Sequence, residues 1–90
     1  MRFILFLFPL LTLLAAVPQA EPVKIIFDTD MDTDCDDAGA LAMLHTLANR
    51  GEVDILGTMV SSRYQYSAPT VDAINTYYNR PDLPIGVPKH

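Results

Sequence analysis

The sequence predicts an α/β fold, the N-terminal βαβαβ part of an open, mostly parallel sheet that is incomplete in this chain. Three observations carry that prediction. Short β-branched apolar runs alternate with longer stretches whose apolar residues recur at three and four positions, which is strand and helix in turn. Glycine, proline and asparagine clusters separate the two patterns. An acidic run and a polar, aromatic loop both fall where a strand hands over to a helix, the edge at which open parallel sheets bind ligands.

Taken in order, residues 23–27 are a short β-branched run and predict a buried strand. A helix is predicted from Asp36 or Asp37 to Asn49, with Ala40, Leu41, Met43, Leu44, Leu47 and Ala48 as its apolar positions. Acids at its start suit the helix dipole, and Gly51 is placed for a left-handed turn after its end. Residues 53–60 predict a second strand, and residues 61–66 a polar and aromatic loop. Ser67 is the expected cap of a second helix, with Pro69 in its first turn. That helix is expected to reach Tyr78 and to turn Val71, Ile74 and Tyr78 inward. A loop over residues 79–84 then leads to a third strand over residues 85–87. Strand, helix, strand, helix, strand implies right-handed parallel crossovers. Three strands leave a sheet edge open, so residues 21–90 are expected to be the N-terminal portion of a larger α/β domain.

Residues 1–20 are read separately. Arg2 gives a positive start, residues 3–17 are almost wholly apolar, and Pro18, Gln19 and Ala20 end on a small residue suited to cleavage. This predicts a secretory signal peptide and a secreted or periplasmic protein. The rival, a membrane anchor, needs about 20 apolar residues. No stable membrane anchor is expected after cleavage. The single cysteine, Cys35, excludes an internal disulfide, and it lies among carboxylates that disfavour its thiolate. It reads as a small filler. The net charge is −5, and no basic patch exists to neutralise phosphates, so no nucleic-acid partner is expected.

The chemistry is concentrated between Asp28 and Asp37. Asp28, Asp30, Asp32, Asp34, Asp36 and Asp37 crowd into ten residues. A carboxylate pair at about 4 Å repels by about 4 kcal/mol at an effective dielectric near 20. Protonation, solvation or a hard cation held by oxygen ligands would relieve this, and the last points to Ca²⁺ or Mg²⁺. An EF-hand loop fails in both registers, because Cys35 stands where glycine is wanted and Leu41 or Gly39 where a bidentate glutamate is wanted. A plain solvated acidic loop is the commoner fate of such runs. Here, however, the run is bracketed by a buried strand and a helix start.

The run from Asp28 to Leu44, Asp-Thr-Asp-Met-Asp-Thr-Asp-Cys-Asp-Asp-Ala-Gly-Ala-Leu-Ala-Met-Leu, resembles the N-terminal signature of the inosine–uridine-preferring nucleoside hydrolase family. The resemblance extends over residues 56–63, 67–78 and 80–87. It implies a Rossmann-like fold and Ca²⁺-dependent hydrolysis of the N-glycosidic bond of purine or pyrimidine ribonucleosides to ribose and free base, as part of a longer protein. By this resemblance Asp30 is a Ca²⁺ ligand and takes a proton from the metal-bound water. Asp37 is a second Ca²⁺ ligand, Asp36 holds the ribose hydroxyls, and Asp28 and Asp34 support them. The implied partner is a small-molecule ribonucleoside, and a homo-oligomer is left open. The chain departs from the family branch it resembles at Asp32, where that branch has glycine, and at Thr33, where it has asparagine. The family also usually carries an asparagine after the second strand, where this chain has Ser62, Arg63, Tyr64 and Gln65. These departures motivate a different class of function, a non-catalytic metal- or sugar-binding remnant of the fold. A phosphatase of the haloacid dehalogenase type is the weaker alternative. It shares Asp-x-Asp after its first strand but expects threonine or valine two residues on, where Asp32 or, one step along, Asp34 stands.

Six side chains outside the acids are placed by sequence. His45 is expected on the polar surface of the first helix. Tyr64 and Tyr66 either cover a core edge or line a base pocket. Arg63 is expected to neutralise the acid run. Tyr77 and Tyr78 are expected to pack within the second helix.

Overall fold

A computed structural model of the chain describes residues 20–89. The signal-peptide expectation for residues 1–20 therefore lies, apart from Ala20, outside the described residues. Among the described residues, no helix is long and apolar enough to cross a membrane.

The elements are β1 (Val23–Thr29), α1 (Asp36–Asn49), β2 (Val53–Val60), α2 (Ser67–Tyr77) and β3 (Ile85–Gly86). The three strands form one parallel sheet in the order β1-β2-β3. The α/β class and the alternation are as expected. β1 runs two residues past the predicted end, because Thr29 still pairs with Val60 across the ladder. β3 stops at Gly86 and pairs only through Thr58 with Ile85 and Met59 with Gly86.

Both helices cover the same face of this sheet. Ile25 and Phe27 of β1 and Ile55 and Val60 of β2 turn toward Leu41 and Leu44 of α1 and Val71 of α2. Those contacts remove apolar surface from water and make the core. The opposite face is open, with Ile26 63 % and Met59 49 % exposed. Period-two alternation accounts for the split. One irregularity interrupts it: Ile25 pairs with Ile55 but Ile26 pairs with Gly57, so Leu56 is an extra, bulged residue. The bulge lets Ile55 and Thr58 both face the helices.

The inward stripe of α1 is Leu41, Leu44, His45 and Ala48, spaced three, four and seven. Met43 is 66 % exposed, and Ala40 also faces outward, against expectation. An almost uniformly apolar helix gives no sequence-level choice of face, and the sheet makes the choice. α2 turns Ser67, Val71 and Asn75 inward. Ser67 does not cap it: Tyr66 is the N-cap, Ser67 is already helical, and its buried hydroxyl has no partner. Tyr77, expected to pack, is 80 % exposed, whereas Tyr78 is half-buried against α1.

Both helices end in the same way. After α1, Gly51 (φ 75°) donates its N–H to Ala48 O and Glu52 to Leu47 O. After α2, Asn79 (φ 62°) donates to Thr76 O and Arg80 to Asn75 O. These paired bonds are Schellman closures, which need a left-handed residue that glycine or asparagine supplies. The second aims Arg80 back toward α1.

Candidate functional site

β1 delivers the acidic run to the carboxyl-terminal edge of the sheet, and α1 starts from it six residues after Asp30. The local fold is set by Thr29 and Met31. The Thr29 hydroxyl accepts the Met31 N–H at 2.9 Å and donates to Asp37 Oδ2 at 2.5 Å. The same Met31 N–H also reaches Asp37 Oδ2 at 3.2 Å. Met31 takes a left-handed φ of 43° and tucks its side chain into the core, 5 % exposed. Burial of an apolar side chain offsets the strain of that conformation. Asp32 itself carries no left-handed strain, because the positive φ falls one residue earlier, at Met31.

The carboxyl groups of Asp30 and Asp37 form one pair. A hydrogen bond to Asp37, then burial and the charge of Asp37, raise Asp30 above the usual carboxylate range. The Thr29 hydroxyl, then the Met31 N–H, hold Asp37 below that range. The pair is thus asymmetric: of the two carboxyl groups, Asp30 is the easier to protonate.

The other acids are spread around this pair. Asp36 is exposed in the first turn of α1, where a negative charge is favoured. Asp34 is exposed and accepts the Thr33 hydroxyl at 2.7 Å. Asp32 accepts the Ser62 hydroxyl at 3.2 Å, which ties the loop after β2 to the acidic loop. Asp28 pairs with Met59 on the open face and lines a shallow hollow of about 180 Å³ with Met59, Ser61 and Val87. Among the described residues, no three histidine, cysteine, aspartate or glutamate side chains converge as a metal-holding group. The donors of Asp30 and Asp37 are hard oxygens of the kind Ca²⁺ takes, but that cation needs six to eight.

Arg63 does not neutralise the acids. Among the described residues the ion pair is Arg50–Glu52, at 2.7 Å, far along the chain from the acidic run. The link to the acids comes from its neighbour Ser62 instead. Tyr64 and Tyr66 are exposed and meet edge to face with ring centroids 5.4 Å apart. Beside them Ser62, Arg63, Tyr64, Gln65 and Val87 border a hollow of about 200 Å³. A larger apolar groove of about 500 Å³ runs between α1 and α2, lined by Ala38, Ala42, Ala73 and Tyr77 among others, and contains none of the acids. Cys35, expected as a filler, is exposed and caps α1 without a side-chain bond. His45, expected at the surface, is fully buried.

Sequence reasoning on acids alone passed over Thr29, Met31 and Ser62. A threonine flanked by aspartates at a strand end was the available signal for the first. Fold and site together define an α/β unit with a carboxylate-rich strand-to-helix junction at the carboxyl-terminal edge of its sheet. No protein-family model, curated protein or solved structure matches the chain.

Proposed function

We propose that this chain supplies the carboxylate junction of a Ca²⁺-dependent N-glycoside hydrolase acting on ribonucleosides, within a Rossmann-like fold. The observation that carries the proposal is the unequal carboxyl pair at the strand-to-helix junction, Asp37 bonded by the Thr29 hydroxyl and the Met31 N–H and held low beside Asp30, which is raised. The sequence resemblance supports the same assignment. Asp30 and Asp37 would hold the cation, which when bound supplies positive charge that acidifies water. Asp30 accepts the proton of the attacking water as general base. Asp36, exposed at the helix start, grips the sugar hydroxyls and fixes the anomeric carbon for attack. Cleavage passes through an oxocarbenium-like state, as in glycoside hydrolysis generally.

The test is ribose release from a ribonucleoside by the native protein, with and without a Ca²⁺ chelator. Turnover should require the cation, and Asp30→Asn should lower kcat by about 10²- to 10⁴-fold, the range for loss of a general base. An Asp30→Asn variant with wild-type rate would overturn the mechanism. Binding of Ca²⁺ or ribose without turnover would favour the non-catalytic remnant. Release of phosphate from a phosphoester, requiring Mg²⁺, would favour the phosphatase.

A further inference from the structure

His45 is the one fully buried ionisable side chain among the described residues, 0 % exposed. It lies within α1, and two other parts of the chain close on it. Asn75 of α2 meets Nε2 with its Oδ1 at 2.7 Å. Arg80, in the turn after α2, meets Nδ1 with Nη1 at 3.2 Å. The Tyr78 ring stacks on the imidazole at a centroid distance of 4.8 Å and an angle of 5°. Arg80 also donates to Asn49 Oδ1 at the end of α1, at 2.8 Å, and to its neighbour Tyr78 O, at 3.4 Å.

A guanidinium has donors and no acceptor. Nδ1 of His45 must therefore be the acceptor, and the imidazole carries its single proton on Nε2. That N–H donates to Asn75 Oδ1, which fixes the amide's orientation as well. The consequence is visible at the other end of the amide, where the buried Asn75 Nδ2 has no partner. An added proton has only Nδ1 to enter, between the ring and Arg80. It would abolish the acceptor that Arg80 uses and set two cations 3.2 Å apart. Among the described residues, no carboxylate acts on the ring to compensate. α2 presents Asn75, its C-cap residue presents the phenol ring of Tyr78, α1 presents Asn49, and β2 turns only Val53, Ile55 and Thr58 to this side.

We propose that His45 is a pH-sensitive latch: uncharged, it pins the turn over residues 79–83 to α1, and on protonation it releases Arg80 and that turn. The effect extends to the sheet, because the same loop ends at Pro84, whose carbonyl accepts the Thr58 N–H at 2.9 Å. Burial, with Arg80 adding to it against the opposing Asn75 bond, also holds the imidazole below its ordinary value.

The experiment is ¹⁵N NMR of the imidazole in the full chain carrying His90→Ala, titrated from about pH 8 to about pH 5. The expected result is the Nε2–H tautomer at high pH and a protonation midpoint below the ~6.5 of a free histidine. Protection factors of the amides in residues 79–83 should fall about tenfold below that midpoint. Arg80→Gln, which keeps a donor without the charge, should move the midpoint upward. His45→Gln should remove the pH dependence of protection. An Nδ1–H tautomer, a midpoint unmoved by Arg80→Gln, or protection that ignores protonation would each overturn the latch. If a variant fails to fold, the tautomer and the protection factors of the parent chain decide alone.

Discussion

Thr29 shows how much one hydroxyl organises. Its oxygen accepts one backbone N–H and its proton serves one carboxylate, so the end of β1, the turn and the start of α1 meet at a single atom. Thr29→Val keeps the shape and removes both bonds. Urea denaturation should show a loss of about 1–3 kcal/mol, the range for leaving buried polar groups unpaired, and Thr29→Ser should recover most of it. The Asp37 carboxyl would lose its strongest support and its pKa would rise toward the ordinary range. Because Asp37 is held below its unfolded value, it contributes stability above that value, which is lost as pH falls through the folded one. His45 has the same sign for a different reason. Its folded pKa also lies below the unfolded one, so its stability is complete above about pH 6.5 and is lost as pH falls through the folded value. Both losses therefore appear on acidification, His45's beginning below the ordinary histidine value and Asp37's below the ordinary carboxylate value.

At the level of helices, the two Schellman closures invite a direct comparison. Gly51 and Asn79 do the same backbone work, and only asparagine bears the cost of a Cβ in the left-handed region. Asn79→Gly should leave thermal stability nearly unchanged. Asn79→Val should cost about 1–2 kcal/mol, and the loss should appear in the midpoint of urea unfolding. Strand and helix positions were legible in the sequence because their periods differ and because Gly51 and Asn49 punctuate the chain. The limits of β2 coincide with the expected ones for that reason. The faces of α1 were not legible. Alanine, leucine and methionine stand on nearly every side of it, so only contact with β2 distinguishes Leu41 from Met43. His45 was missed for a related reason: its partners Asn75 and Arg80 lie some thirty residues away, and no local pattern announces them. The acidic run was legible as a site, but its internal order was not. The pairing of Asp30 with Asp37, and not with Asp28 or Asp32, depends on the turn at Met31.

The whole unit is a two-layer arrangement with helices on one side only. The uncovered sheet face carries Ile26, Leu56 and Met59 in a continuous hollow of about 330 Å³ that β3 and Pro84 help to line. A face of this kind offers apolar surface to a dye. Met59→Lys should lower the fluorescence of a hydrophobic probe at least about twofold while changing stability by less than about 0.5 kcal/mol, as surface substitutions do. Unchanged probe binding would mean that the dye reports the groove between α1 and α2 instead. The sites with chemistry lie at one edge of this sheet and the pH-sensitive contact lies between the helices, so α1 is common to both. Its first turn carries Asp36 and Asp37, and its third carries His45.

The bulge at Leu56 has a consequence for how this sheet withstands change. In an uninterrupted strand, losing or gaining one residue exchanges inside for outside along everything that follows. β2 already contains that half-period slip, absorbed at one place. Without Leu56, residues 53–60 would still alternate, with Val53, Ile55, Thr58 and Val60 on the helix side and Asp54, Gly57 and Met59 on the other. The strand is thus built of two segments in opposite phase, joined by one spacer residue whose side chain lies on the uncovered face with Ile26 and Met59. Length can vary there without inverting the sheet, and the arrival of β2 at the acidic edge is insulated from the phase in which it began.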